Sequence, residues 1–117
     1  MNSKGRLGEI EAAKFLRKKR YKILDVNYVT RFGEIDLIAA NRKFICFIEV
    51  KQRNHDSIAQ PREFVNYSKQ QKIIASAKLY LTQNKTNLQP RFDVIEIITE
   101  NNKIKLVKHL ENAFQLV

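Results

Sequence analysis

The segment Glu49-Val50-Lys51 sets an acid and a lysine one residue apart at the end of an apolar run, Phe44-Ile45-Cys46-Phe47-Ile48. Side chains alternate along a strand, so Glu49, Lys51 and Arg53 share one face while Ile48, Val50 and Gln52 share the other. A second run, from Glu34 to Ala40, puts Glu34, Asp36 and Ile38 on a common face in the same way. A hairpin centred between Arg42 and Lys43 sets Asp36 directly opposite Glu49. A loop of odd length would send them to opposite faces, so the pairing depends on an even-numbered turn. Two carboxylates about 5 Å apart across a sheet repel and need a proton or a cation. A hard divalent ion such as Mg²⁺, or Mn²⁺, takes oxygen ligands, and Asp36, Glu49 and the Val50 carbonyl are its candidates. Lys51 is then placed to orient a water or to stabilise the extra negative charge on a phosphate under attack. Arg53 is placed to grip a flanking phosphate bidentately.

Glu9 adds a further acid. Ala12, Ala13 and Leu16 follow it at i+3, i+4 and i+7, so it lies on the core-facing side of a helix, and an inward carboxylate needs a partner. Lys69 precedes Ile73 by four positions and either turns toward the sheet or points to solvent. Taken alone, an acid-x-lysine is an ordinary solvated strand edge in a chain this charged. The preceding acidic strand, the apolar lead-in and Glu9 are what raise its value. Asp93, between Phe92 and Val94 and close to Arg91, reads as a structural ion pair, and the tyrosines read as packing residues.

Twenty-two Lys and Arg against twelve Asp and Glu leave a formal net charge of +10, the balance of a protein that meets polyanions. Lys18, Lys19, Arg20, Arg42, Lys43, Arg53 and Lys69 are candidates for neutralising phosphates, although cations at positions 18–20 also complement the end of a helix. The single cysteine, Cys46, excludes an intramolecular disulfide and suits a buried small residue in a reducing compartment. No uninterrupted apolar stretch approaches a membrane span, and nothing after Met1 resembles a secretory apolar segment, so a cytoplasmic location is expected. His55 and His109 lack neighbours at ligand spacing, which argues against structural zinc, and both read as surface residues.

The elements that must position these groups follow from periodicity. A helix is expected over Lys4 to Arg20, with Gly5 and Gly8 marking a frayed start or a close approach to the sheet. Strands are expected over Lys22 to Thr30, Glu34 to Ala40 and Phe44 to Gln52. A second helix opens at a Ser68/Gln71 capping box and runs to about Asn84. Before it, Pro61 can open a short helical turn. Phe92 to Thr99 and Lys103 to Lys108, joined by Asn101-Asn102, form a closing hairpin. With no linker or repeat, residues 1–117 read as a single α/β domain.

Gly8-Glu9 with Ala12 and Leu16, then Gly33-Glu34-Ile35-Asp36-Leu37-Ile38-Ala39, then Phe47-Ile48-Glu49-Val50-Lys51-Gln52-Arg53, Lys69, Ala77 and Arg91-Phe92-Asp93-Val94 resemble the bacterial YraN-like family. That family is functionally uncharacterised and is assigned to the restriction-endonuclease-like, or PD-(D/E)XK, superfamily, similar in fold to Holliday-junction resolvases. The resemblance implies an αβββαβ core with a mixed central sheet flanked by helices, here with an extra C-terminal strand. It implies Asp36 and Glu49 as metal ligands, Lys51 as catalytic lysine, Glu9 as an additional acid and Lys69 as a basic helix residue nearby. The chain departs from the wider superfamily in carrying Ile35 where a proline often precedes the acid, and in Ala59 where relatives often have glycine. Three functions stay open at this point. The first is an Mg²⁺-dependent endonuclease acting on DNA, structured or branched if the resolvase likeness extends to substrate, with a homodimer allowed. The second is a non-catalytic nucleic-acid-binding module retaining that fold, and the third is a basic surface for an acidic protein.

Overall fold

In the computed structural model, residues 3–56 and 65–115 are described, with side chains from Leu7 onward. The elements run α1 (Ser3–Lys18), β1 (Lys22–Thr30), β2 (Gly33–Ala40), β3 (Phe44–Asn54), α2 (Tyr67–Gln83), β4 (Gln89–Glu100) and β5 (Lys103–Phe114). This is the expected αβββαβ order with one more strand at the end. The sheet order is β1-β2-β3-β4-β5, antiparallel throughout except for the parallel pair β3 and β4, which α2 connects.

Alternation along the central strands sorts two cores. Ile38, Ile45 and Phe47 pack with Ile73, Ile74, Ala77 and Tyr80 of α2. Leu37, Ala39, Cys46 and Ile48 pack with Ala12 and Leu16 of α1. The two helices therefore cover opposite faces. Strand β4 lies inside both layers and is buried without a break from Arg91 to Thr99, as a strand covered on both sides must be. Cys46 is fully buried, and burial pushes its thiol up to about 12.

Sequence periodicity located all seven elements but misplaced several boundaries: α1 ends at Lys18 and not Arg20, and β4 begins at Gln89 and not Phe92. Helix α2 begins two residues earlier than a Ser68 cap implies: Asn66 is the N-cap, its Oδ1 accepting the Lys69 N–H at 2.9 Å, and Ser68 lies inside the helix. Asn caps a helix at least as well as Ser. Strand β3 continues to Asn54 and β5 to Phe114, past Gln52 and Lys108, because β4 offers a ladder to both. The Asn101-Asn102 pair has positive φ at both residues, 52° and 63°, as a type I′ hairpin turn requires. The expected turn at Pro61 and the Ala59 position fall outside the described residues. No helix among the described residues is long and apolar enough to cross a membrane.

Candidate metal centre and its cations

The β2–β3 turn decides the position of the acids. Asn41 N–H donates to the Phe44 carbonyl at 3.0 Å, closing a tight loop on Arg42-Lys43, and Asn41 Oδ1 accepts from the Lys43 and Phe44 N–H groups. The resulting register pairs Ala40 with Ile45 and Leu37 with Ile48, so Asp36 and Glu49 come next in line. The backbone ladder between β2 and β3 stops there, while β3 continues beside β4 to Asn54. Asp36 fills the fork: its Oδ2, in place of a carbonyl, accepts the Val50 N–H at 2.8 Å. In an extended strand the N–H and C=O of one residue point to the same side, so the Val50 carbonyl is turned into the same opening.

Glu9 reaches this opening from the α1 layer. A Cβ on Gly8 would stand 3.1 Å from Gln52 Oε1 and 3.6 Å from Val50 Cγ1, so the first turns of α1 lie hard against the end of β3. The carboxylates of Glu9, Glu34 and Asp36 come within 4.8 Å of one another. Glu34 is the residue that sequence reasoning passed over, although its shared face with Asp36 was the signal. Glu49 enters from the α2 layer, only 4% exposed, with Lys69 Nζ at 2.6 Å and Lys51 Nζ at 3.1 Å from the same oxygen, Oε1. The cleft over these groups has a volume of about 440 Å³ and is walled by Glu34, Asp36, Glu49, Lys69 and Lys72 among others.

Electrostatics mark the same spot. Burial, then the Glu49 and Glu9 charges, push the Asp36 carboxyl up to about 7, against the opposing pull of the Val50 N–H and the Lys69 ammonium. For Lys69, burial alone would lower the pKa, but the hydrogen bond and charge of Glu49 outweigh it and raise it. The donor set suits a hard cation, since every side chain that offers a ligand atom is a carboxylate. Adjacent oxygen ligands on one Mg²⁺ stand about 3 Å apart and opposite ones about 4.2 Å, so the Glu9–Glu34–Asp36 trio, within 4.8 Å of one another, must draw closer to share an ion.

The expected cations fall in three places. Lys51 and Lys69 stand at the acids. Arg53 shares the face of Glu49, but its Nε donates to Glu96 Oε2 at 2.7 Å, and Glu96 is fully buried. Lys18 ends α1 and Lys19 and Arg20 form the turn after it, while Arg42 and Lys43 form the hairpin tip. Both lie toward the other end of the sheet, where Lys22 pairs with Ala40. At ~3.3 Å per residue, six positions of strand put the tip about 20 Å from Asp36.

A separate buried network surrounds Asp93. Arg91 donates to both its oxygens at 2.9 and 2.8 Å and to Tyr21 Oη at 2.6 Å, while the Asn112 N–H donates to Oδ1 at 3.0 Å. His109 places Nε2 at 2.7 Å from Asp93 Oδ2 and Nδ1 at 2.9 Å from Lys19 Nζ, which fits Nε2–H donating and Nδ1 accepting. Burial would raise the Asp93 pKa, but the hydrogen bonds from His109, Arg91 and Asn112 win and hold it below the usual carboxylate value. Asp93 is thus the structural ion pair expected of it. His109, read from sequence as a surface residue, is instead enclosed with its side chain 3% exposed, because Phe15 and Tyr21 pack edge-on against its ring. Tyr67 departs in the other direction and is largely exposed. A cleft of about 570 Å³ opens beside this network, but Arg91 at its wall is committed to Asp93.

The model of the uncharacterised protein family UPF0102 matches residues 8–97, the stretch that carries Glu9, Asp36, Glu49, Lys51, Lys69 and Asp93. The chain belongs to this family. It is the YraN-like family that the motifs resemble. The UPF0102 protein of Caldanaerobacter subterraneus subsp. tengcongensis is 45% identical over 113 residues, covering 94% of this chain and 93% of that one. The UPF0102 protein of Thermodesulfovibrio yellowstonii is 46% identical over 110 residues, 94% of either chain. That of Alkaliphilus oremlandii is 45% identical over 118 residues, 97% of this chain and all of its own. UPF0102 similarity therefore spans both helices and the whole acid site.

Proposed function

We propose that this chain is a divalent-metal-dependent phosphodiesterase of the cytoplasm, with Mg²⁺ or Mn²⁺ as its ion and DNA as its substrate. The observation that carries this reading is the convergence of Glu9, Glu34, Asp36 and nearly buried Glu49 on one strand fork, with Lys51 beside them, in a protein of net charge +10. A surface built only to hold phosphates has no use for acids in that position, since like charges repel. Asp36, Glu49 and the Val50 carbonyl are the proposed ligands, with Glu9 and Glu34 within reach. Once bound, the ion would supply Lewis-acid stabilisation of a phosphoryl oxygen. Lys51 orients the attacking water or meets the charge that grows on the phosphate, and Lys69 and Lys72 line the approach. Arg42, Lys43 and the 18–20 cluster hold a more distant stretch of the nucleic acid.

The test is to incubate the purified chain with labelled duplex, single-stranded and four-way-junction DNA in Mg²⁺, Mn²⁺ or EDTA. Cleavage that needs the metal and disappears in Lys51→Ala is expected, with the junction favoured if the resolvase likeness extends to substrate. Binding without cleavage of any substrate, unchanged by Asp36→Asn or Lys51→Ala, would replace the enzyme with a nucleic-acid-binding module.

A further inference from the structure

Glu49 Oε1 carries two ammonium groups at once, Lys69 at 2.6 Å and Lys51 at 3.1 Å. A carboxylate this enclosed requires counter-charge, and here it is met entirely by the chain's own lysines. The two lysines are not equivalent. Lys51 is anchored next but one to Glu49 on the central strand β3, flanked by the β4 ladder. Lys69 sits in the first turn of α2, where its own N–H is taken by the Asn66 cap and where no acidic residue offsets the positive end of the helix. An ammonium is disfavoured at that end of a helix, so its partner across the cleft, and not its own helix, holds it inward. Its side chain is 40% exposed and unbranched, with open cleft beside it, so it can turn outward without disturbing packing. A dication drawing on Glu49 would meet this ammonium at the same oxygen, and like charges at that range repel.

We propose that Lys69 is the resident counter-cation of the acid site: it neutralises Glu49 until a divalent ion displaces it, and it then presents its ammonium to the incoming phosphate. This rests on the metal-dependent reading above and deepens it, because it makes ion uptake and phosphate capture two positions of one side chain. Neutralising Lys69 must therefore act on the two ligands in opposite directions, which the loss of a merely structural ion pair would not do.

The experiment measures Mn²⁺ binding to the full chain by titration calorimetry near neutral pH without DNA, then binding of a short uncleavable duplex at saturating Mn²⁺. Wild type is compared with Lys69→Met, Lys69→Gln and Lys69→Arg. Both neutral variants should bind Mn²⁺ about tenfold more tightly, the weight of one ion pair between a buried carboxylate and a partly exposed ammonium, and bind the duplex several-fold more weakly. Lys69→Arg should restore both affinities toward wild type. Mn²⁺ affinity that is unchanged or lower in both neutral variants overturns the proposal, as does tighter Mn²⁺ binding with no loss of duplex affinity. Failure of wild type and every variant to take up Mn²⁺ would remove the metal-dependent reading as well, so the two failures are told apart by whether any of these proteins binds the ion.

Discussion

Replacing Asp36 with asparagine removes one negative charge from the strand fork while keeping an oxygen that can accept the Val50 N–H. In the folded chain, burial and the neighbouring Glu49 and Glu9 raise the Asp36 pKa to about 7 from an ordinary 3.8. The native state therefore binds this proton more tightly than the unfolded state does, and stability contributed by the proton is complete below pH 3.8 and lost as pH rises to about 7. A gap of about three pH units corresponds to a ceiling of about 4 kcal/mol, and an open, water-accessible cleft brings the expectation to roughly 2 kcal/mol. For a chain of this size that is a rise in Tm of about 5–10 °C for Asp36→Asn in EDTA at pH near 8. The advantage should shrink steadily toward pH 4 and stop growing above neutrality. Thermal melts across this range check it, with Mg²⁺ added as a second arm: the ion should stabilise wild type and do little for the variant. An Asp36→Asn protein that melts at or below wild type at alkaline pH, with no trend toward acid, would refute the reasoning that these acids are electrostatically strained.

Two further outcomes are expected. Asp93→Ala leaves Arg91 and His109 enclosed without their acceptor, so urea denaturation should show a loss of at least about 3 kcal/mol, while Mn²⁺ affinity per folded molecule stays at the wild-type value. Arg42→Ala with Lys43→Ala should lower the slope of log affinity against log salt for duplex DNA by about 0.9 for each phosphate no longer neutralised, again with Mn²⁺ binding untouched, because the hairpin tip is remote from the acids.

What the chain's letters disclose about this site follows from how local each interaction is. The opposition of Asp36 and Glu49 needs only a side-chain period and the parity of one turn, and Asn41 builds that turn with its own side chain. The inward set of Glu9 needs only the helical spacing of Ala12, Ala13 and Leu16, all buried as expected. Interactions made across the sheet are a different matter. The bond from Lys69 to Glu49 depends on where α2 starts, and a Ser68 cap would have set that start later than the Asn66 cap that is used. Arg53 looked available for phosphate because its partner, Glu96, lies on a strand formed far along the chain, in an otherwise apolar run. His109 sits on an edge strand of mixed polarity, and only the arrival of Phe15 and Tyr21 from the other end of the sequence encloses it.

The parallel pairing of β3 with β4 bears on how the protein comes into being on the ribosome. Strand β3 shares a ladder with β2 from Ile45 to Ile48, yet with β4 it runs the full length from Phe44–Gln89 to Asn54–Thr99. The half of β3 that carries Glu49, Lys51 and Arg53 thus has no backbone partner until Gln89 and its successors have been synthesised and have left the exit tunnel. All four acids of the fork emerge early, but the strand that fixes Glu49 and the helix that neutralises it both arrive late, so a nascent chain cannot assemble this acid cluster ahead of its fold. The same order holds in reverse: any fluctuation that parts β4 from β3 dissolves the acid cluster with it, and amide exchange at Lys51 and Arg53, whose N–H groups alternate with that of Val50 and so face β4, should track global unfolding.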